Sequence, residues 1–186
     1  MFTFDEGVRS AYPGMQMGFL VMHGVGPAAV EAESLRAEAE IIAGLQQKFG
    51  GMGKQERKAA YPMHVYVAYC KKFGYTYPVL AQLESVLSGK RTLQARSGLL
   101  RAMFLSELDS MLLTAGHDLA HLQLPLRLAV ATGAENYQSI SGREVTTVRG
   151  DVMLCDCHGV LSSSLRGPDY QSRITPATEE VLFSIY

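Results

Sequence analysis

The chain closes with the segment SRITPATEEVLFSIY, from Ser172 to Tyr186, and this segment decides the fold class. Thr175 can cap a brief helix, since Pro176 suits the first helical position and two glutamates follow near the positive end of that helix. The apolar and branched residues 181–186 then predict a final strand. A helical turn that leads directly into a strand places the end of the chain in a sheet.

Further segments have the same short, branched or apolar character and are separated by Gly, Asn, Ser and Asp. They cover residues 126–132, 144–149, 151–155 and 159–165. Near the start of the chain, the apolar run 15–25 lies between Pro13-Gly14 and Gly26-Pro27, which is typical of a strand inside a sheet. Both ends of the chain are therefore expected to form strands.

The middle of the chain is predicted to be helical, because its apolar residues recur at spacings of three and four. Helices are expected over residues 28–49, 54–73, 78–89 and 97–114, with Pro62 interrupting or bending the second of them. Strands and helices do not alternate strictly along the chain. This order predicts an α+β fold with a helical middle and a multi-stranded, mostly antiparallel sheet arrangement, in a single domain over residues 1–186.

Composition narrows the class of protein. Of the 186 residues, 47% are hydrophobic and 19% are charged, which is enough apolar material for a core and unlike a disordered chain. No stretch approaches 18 apolar residues, and Asp5 and Glu6 stand where a secretory signal would carry basic residues. We therefore expect a cytoplasmic protein without a membrane segment, and reduced thiols at Cys70, Cys155 and Cys157.

The charge is distributed unevenly. Residues 53–101 carry nine basic and two acidic side chains, a net charge of +7, whereas the segments before and after it have net charges of -3 and -5. A basic segment with interleaved tyrosines is typical of a surface that binds RNA phosphates and stacks unpaired bases. The candidate RNA-binding residues are Lys71, Lys72, Lys90, Arg91, Arg96 and Arg101. The alternative is a set of solvated helix faces with half-buried tyrosines.

The local motifs for bound groups are incomplete. Gly24-Val25-Gly26 lacks the third glycine of a nucleotide loop, since Ala29 stands at its place. His117 and His121 have the spacing of a zinc-binding helix, but Asp118 replaces the glutamate of that motif. The run from Cys155 to His158 has no second Cys/His pair that would complete a tetrahedral site. The sequence therefore predicts neither a metal site nor a cofactor.

Several short sequence motifs, taken in their order along the chain, resemble those of a free-standing B3/B4 domain, the module known from the phenylalanyl-tRNA synthetase beta subunit. They are Tyr12-Pro13-Gly14 with Gly18 in the strand that follows, YCKKFG at residues 69–74, residues 116–119, and the closing Arg173-Ile174-Thr175 with Thr178 and Val181-Leu182-Phe183. The resemblance covers nearly the whole chain. It implies a B3/B4-like fold and a tRNA or an aminoacyl-tRNA as the partner.

In the synthetase this module is understood to hydrolyse tyrosine wrongly attached to the phenylalanine tRNA. The polar residues of that editing pocket fall on Met103, Phe104, Ala115 and Tyr170 of this chain, so each is replaced. His117 and Asp169 stand close to two of these places and are the candidate catalytic residues.

The resemblance thus predicts a tRNA-binding module, with hydrolysis of mischarged aminoacyl-tRNA in trans as its activity if it is an enzyme. The 186 residues leave no room for an aminoacylation domain, so we expect that they do not charge tRNA alone. A different class of function is a non-catalytic domain that binds an amino-acid-like small molecule. A third hypothesis is a hydrolase that uses His117, Asp118 or Asp169. The sequence does not determine the oligomeric state.

Overall fold

The helical middle of the chain separates two segments that fold together into sheets. The structure, a computed structural model, describes residues 2–25, 27–89 and 97–186, without the side chains of 27–29. Two compact units result: the sheet unit (Met1–Val25 with Ala115–Tyr186) and the helical unit (Gly26–Thr114). That the chain folds as one domain stays a prediction.

Helices and strands follow the order expected of an α+β protein with mostly antiparallel sheets, so the predicted fold class is confirmed. In chain order the described elements are β1 (Phe2–Phe4), α1 (Glu6–Ala11), β2 (Gly18–His23), α2 (Pro27–Phe49), α3 (Lys54–Ala59), α4 (Met63–Lys72), α5 (Pro78–Leu87), α6 (Gly98–Ser110), β3 (Thr114–Asp118), a short 3-10 helix (Leu119–His121), β4 (Leu126–Val130), β5 (Asn136–Gln138), β6 (Glu144–Thr146), β7 (Val152–Cys155), β8 (Val160–Ser163), β9 (Gly167–Pro168) and β10 (Glu180–Ile185).

Local signals in the sequence set the ends of the helices in the helical unit. Pro62 separates α3 from α4, and Pro78 occupies the first position of α5. The Ser97 hydroxyl accepts a hydrogen bond from the Leu100 amide and caps α6. The predicted end of α6 at residue 114 was wrong, because Met111 adopts a left-handed conformation (φ 58°) that ends the helix and lets β3 begin at Thr114.

Three sheets form the sheet unit. The largest has the strand order β1-β4-β7-β8-β9, in which β1 runs parallel to β4 and the other pairs are antiparallel. A second sheet has the order β2-β10-β3, and β5 pairs with β6 as an antiparallel hairpin. Alternate side chains of the largest sheet enter two different cores, one that includes Leu128 and Leu154 and one that includes Ala129 and Met153.

The brief helix predicted at Thr175 is not formed. Residues 175–178 make a turn instead, in which the Thr178 amide donates to the Thr175 carbonyl over 3.1 Å. The Thr178 hydroxyl is hydrogen-bonded to Asp118 of β3, so a tertiary contact competes with the helical geometry. The predicted final strand is confirmed as β10.

Candidate functional site

Three polar side chains of the sheet unit form a buried chain of hydrogen bonds. His117 lies in β3, and Asp169 and Ser172 lie between β9 and β10. His117 forms an isolated antiparallel bridge with Arg173, and the Asp118 amide donates to the Ser172 carbonyl over 2.7 Å. This backbone pairing sets the Ser172 side chain beside the His117 ring.

The contacts among Asp169, Ser172 and His117 determine which group donates and which accepts in each hydrogen bond. The Asp169 carboxylate accepts the amides of Gln171 (2.8 Å) and Ser172 (3.0 Å), and its other oxygen accepts the Ser172 hydroxyl. Since that hydroxyl donates to Asp169, it accepts from His117 Nδ1, which lies 2.7 Å away. The proton of a neutral His117 therefore resides on Nδ1, and Nε2 carries the lone pair.

Burial keeps His117 neutral. Its side chain is fully buried, and this burial lowers the pKa of His117 to about 4, although the carboxylates of Asp169 and Asp156 act in the opposite direction. Nδ1 lies 3.9 Å from the nearer Asp169 oxygen, too far for a direct hydrogen bond. Nε2 is also buried, and no partner for it is found among the described residues. The cluster thus presents an oriented, uncharged base.

Sequence reasoning found His117 and Asp169 but missed Ser172, which connects them. An aspartate followed three residues later by serine, as in Asp169-Tyr170-Gln171-Ser172, is the local signal of a turn closed by the carboxylate. The order Asp-Ser-His differs from a nucleophilic triad, in which histidine lies between the other two residues. Because the Ser172 proton points to Asp169, Ser172 holds the ring and is not itself activated.

A second buried contact ties the same segment to β3. Asp118 accepts the Thr178 hydroxyl over 2.7 Å and the Ala120 amide over 3.1 Å. His121 Nδ1 lies 3.6 Å from Asp118, but the His121 side chain is largely exposed whereas His117 is fully buried. The two histidines therefore do not form one site. No group of three side chains that could hold a metal ion occurs among residues 2–25, 27–89 and 97–186.

The four residues expected to line an editing pocket lie in different parts of the chain. Met103 and Phe104 are half-buried in α6 of the helical unit. Ala115 is buried in β3, and Tyr170 is half-buried with the guanidinium of Arg173 over its ring, 3.6 Å from the ring centre. That these four residues share a pocket stays a prediction.

The candidate RNA-binding residues differ in their exposure and in their ion-pair partners. Lys90, Arg91 and Arg96 lie outside the described residues. Arg101 contacts Glu38 (2.9 Å) and Glu31 (3.1 Å) of α2, and only 14% of its side chain is exposed. Its guanidinium therefore connects α6 to α2, and we leave it out of any surface for phosphates. Lys71 and Lys72 are exposed at the end of α4.

The exposed side of α4 combines these two lysines with aromatic and small residues. We call it the α4 face: His64, Val65, Ala68, Lys71 and Lys72 of the helix, with Tyr61, which lies two residues before the helix; all six are exposed. Tyr61 is 81% exposed, and its ring centre lies 6.0 Å from that of His64. In contrast, Tyr66 stacks on the buried Tyr77, whose hydroxyl donates to the Met111 carbonyl. Tyr61 is therefore available for stacking, and Tyr77 belongs to the core.

An open cleft of about 580 Å³ lies on the largest sheet. Its floor is apolar, and its rim carries polar residues that include the ion pair between Asp5 and Arg127. Burial raises the pKa of the Cys155 thiol on the floor to about 11, so this thiol stays protonated near neutral pH. Cys157 at the rim is exposed, and no disulfide joins the cysteines at 70, 155 and 157.

The helices that the structure describes include none that is both long and apolar enough to cross a membrane.

Comparison with known proteins includes a weak structural likeness. No family model matches the chain, and no curated protein is significantly similar to it. Among solved structures, an N-terminal fragment of the phenylalanyl-tRNA synthetase beta subunit from Pyrococcus horikoshii matches with a TM-score of 0.49 and 12% identity, over 99% of this chain. This chain spans 42% of the length of that fragment. A TM-score below 0.5 is too low to establish a shared fold, so the fold class rests on the elements described above.

Proposed function

We propose that this chain is a tRNA-binding module of the B3/B4 type and that the α4 face contacts the RNA. The resemblance of its sequence to that module supports the proposal. The observation that carries it is the exposed Tyr61 ring beside His64 at the start of α4, together with the exposed Lys71 and Lys72 at the end of the same helix. Helix α4 is about 15 Å long, since each helical residue advances by about 1.5 Å, which suits a short run of nucleotides.

Each part of the α4 face contributes a different interaction. An exposed tyrosine stacks on an unpaired base and contributes about 1–3 kcal/mol, whichever base it meets. A lysine that neutralises a phosphate releases counterions, so each such contact adds about 0.7–0.9 to the slope of log affinity against log salt concentration. Lys71 and Lys72 together should therefore account for a slope of about 1.4–1.8.

Filter binding of tRNA over a range of salt concentrations tests this proposal. The double variant Lys71→Gln/Lys72→Gln should lower the salt slope by that amount, and Tyr61→Ala should weaken binding without changing the slope. Lys48→Gln is the matched control, because Lys48 Nζ lies 5.0 Å from the Phe49 ring centre, as Lys72 Nζ lies 5.1 Å from that of Phe73. The proposal fails if wild-type affinity is absent or independent of salt, or if the control changes binding as much as the double variant does.

Hydrolysis of mischarged aminoacyl-tRNA is a second function, and the free lone pair of His117 Nε2 favours it. In this reaction a water oxygen attacks the ester carbonyl carbon while His117 Nε2 takes the water proton. The bond from the carbonyl carbon to the ribose oxygen then breaks, and that oxygen takes the proton back. Ser172 and Asp169 hold the Nδ1 proton in place throughout. Because Nε2 is buried, the ester reaches it only after displacing the chain that covers it.

Deacylation of Tyr-tRNA measures this second function separately from RNA binding. His117→Gln should abolish the acceleration, whereas His121→Gln, a change in an exposed neighbour, should leave it intact. With a base of pKa about 4, the rate should stay constant above about pH 5 and fall below it. Deacylation that is no faster with the protein than without it excludes the activity and leaves the RNA-binding proposal standing.

A further inference from the structure

Strand β2 lies at the edge of the sheet β2-β10-β3 and exposes three consecutive apolar side chains. Leu20, Val21 and Met22 are 50%, 41% and 38% exposed. Successive side chains of a strand point to opposite faces, so β2 is exposed on both faces of its sheet. Patches of this kind on a folded protein are typical of interaction surfaces.

The usual protection of an edge strand is missing from β2. Charged residues, a proline or a bulge commonly prevent an edge strand from pairing with a strand of another molecule. The segment from Gly18 to Met22 contains no charged residue and no proline, and β2 pairs with β10 in continuous register over all six positions. The other edge strand, β3, is mostly buried. Alternate backbone groups of β2 thus face away from β10, ready to pair with another strand.

We propose that a second copy of this chain pairs with β2 in antiparallel orientation, which joins two copies of the sheet. A two-fold axis centred on Val21 places Val21 opposite the second copy's Val21 and Leu20 opposite the second copy's Met22. The three exposed apolar side chains then meet only one another. Phe19 faces His23 in this register, so no two like-charged side chains oppose each other.

Self-pairing suits this strand for a further reason. A two-fold interface uses the same surface on both copies, so one contact covers both β2 edges and leaves neither open for continued growth. Two paired strands of six residues bury less area than a standard stable interface. The dimer is therefore weak, with a dissociation constant on the order of micromolar.

Sedimentation over a range of protein concentrations tests the pairing, with circular dichroism as the check that each variant is folded. Val21→Lys sets two cations opposite each other and should raise the dissociation constant about tenfold or more. Leu35→Lys is the matched control, because Leu35 is an apolar residue that is 51% exposed on helix α2 and belongs to no strand, and it should leave the dimer unchanged. A wild-type protein that stays monomeric up to about 100 µM, well above the expected dissociation constant, overturns the proposal.

A cysteine cross-link tests the register directly. Opposed residues of antiparallel strands have Cα atoms about 4.5–5.5 Å apart, within the range of a disulfide. In a Cys157→Ser background, which removes the exposed thiol, Val21→Cys should form a disulfide-linked dimer on mild oxidation and Leu35→Cys should not. A dimer that forms in sedimentation but is neither weakened by Val21→Lys nor cross-linked at position 21 also overturns the proposal.

Discussion

Replacing Glu107 by Gln should make the folded protein more stable at pH 8 while changing little at acid pH. Glu107 lies in α6 with 4% of its surface exposed, and one of its carboxyl oxygens accepts the Thr114 amide over 2.8 Å. Burial raises the pKa of Glu107 to about 8, despite the opposing effect of that hydrogen bond. Glutamine keeps the oxygen that accepts the amide and removes the ionisation.

The direction in which the free energy of unfolding changes with pH follows from proton binding to Glu107. Between the ordinary pKa of glutamate and about pH 8, the unfolded chain is ionised at Glu107 while the folded chain holds the proton. Stability is therefore lost as pH rises through this range. From pH 6.5 to pH 8 the loss amounts to about 1.5–2 kcal/mol, because one unit of pKa difference corresponds to about 1.36 kcal/mol. This window begins at the ordinary pKa of histidine, so the buried His117 contributes only about 0.4 kcal/mol there, with the opposite sign.

Urea unfolding at several pH values between 6.5 and 8 measures the effect. The free energy of unfolding should fall with pH for the wild type and stay nearly level for Glu107→Gln. Asp109→Asn is the control, since it removes an exposed carboxylate from the same helix. If the wild type and Glu107→Gln curves run parallel, the carboxyl group is not desolvated as described and the reasoning is refuted.

The remaining predictions concern two glycines and one histidine. A Cβ at Gly98 would lie 2.5 Å from the Glu31 backbone nitrogen, so Gly98→Ala should separate α6 from α2 and lower the free energy of unfolding by about 1–3 kcal/mol. Gly44→Ala, in the open on α2, should instead raise it by about 0.5–1 kcal/mol, and equal effects at both glycines would contradict the close approach. Lowering the pH from 6.5 to 4 should reduce the stability of the wild type relative to that of His117→Gln by up to about 3 kcal/mol, because only the unfolded chain takes up the His117 proton there, while Glu107 acts equally in both proteins. Urea unfolding of the two proteins measures this difference, and a difference that does not change with pH would show that the histidine is not buried neutral.

Helices and strands whose ends are marked by a nearby proline or capping residue could be predicted from the sequence. Those that depend on residues distant in sequence could not. Pro62, Pro78 and Ser97 act on their own neighbours, so the breaks and starts of the helices in the helical unit agree with expectation. Strand β1 has three residues and forms by pairing with β4, more than a hundred positions away in sequence. Nothing within a few residues of Phe2 signals that partner.

The same distinction explains the candidate RNA surface. A count of charges treats every cation of residues 53–101 alike, but Arg101 acquires two carboxylate partners from α2, which is far away in sequence. Lys71 has no such partner among the ion pairs of the described residues. The net charge of a segment therefore gives an upper limit on its phosphate contacts, and the fold decides which cations remain for them.

The buried polar residues His117, Ser172 and Asp169 likewise depend on contacts between segments that are distant in sequence. His117 and Asp169 could be picked out as residue types suited to acid-base chemistry, yet neither contacts the other directly. Ser172 supplies the connection, and it does so because β3 bridges the segment before β10. With Ser172 removed, His117 Nδ1 would lose its only hydrogen-bond acceptor among the described residues. Ser172→Ala should therefore impair any reaction at Nε2 while His117 and Asp169 are both still present, which distinguishes an oriented base from two independently placed ionisable groups.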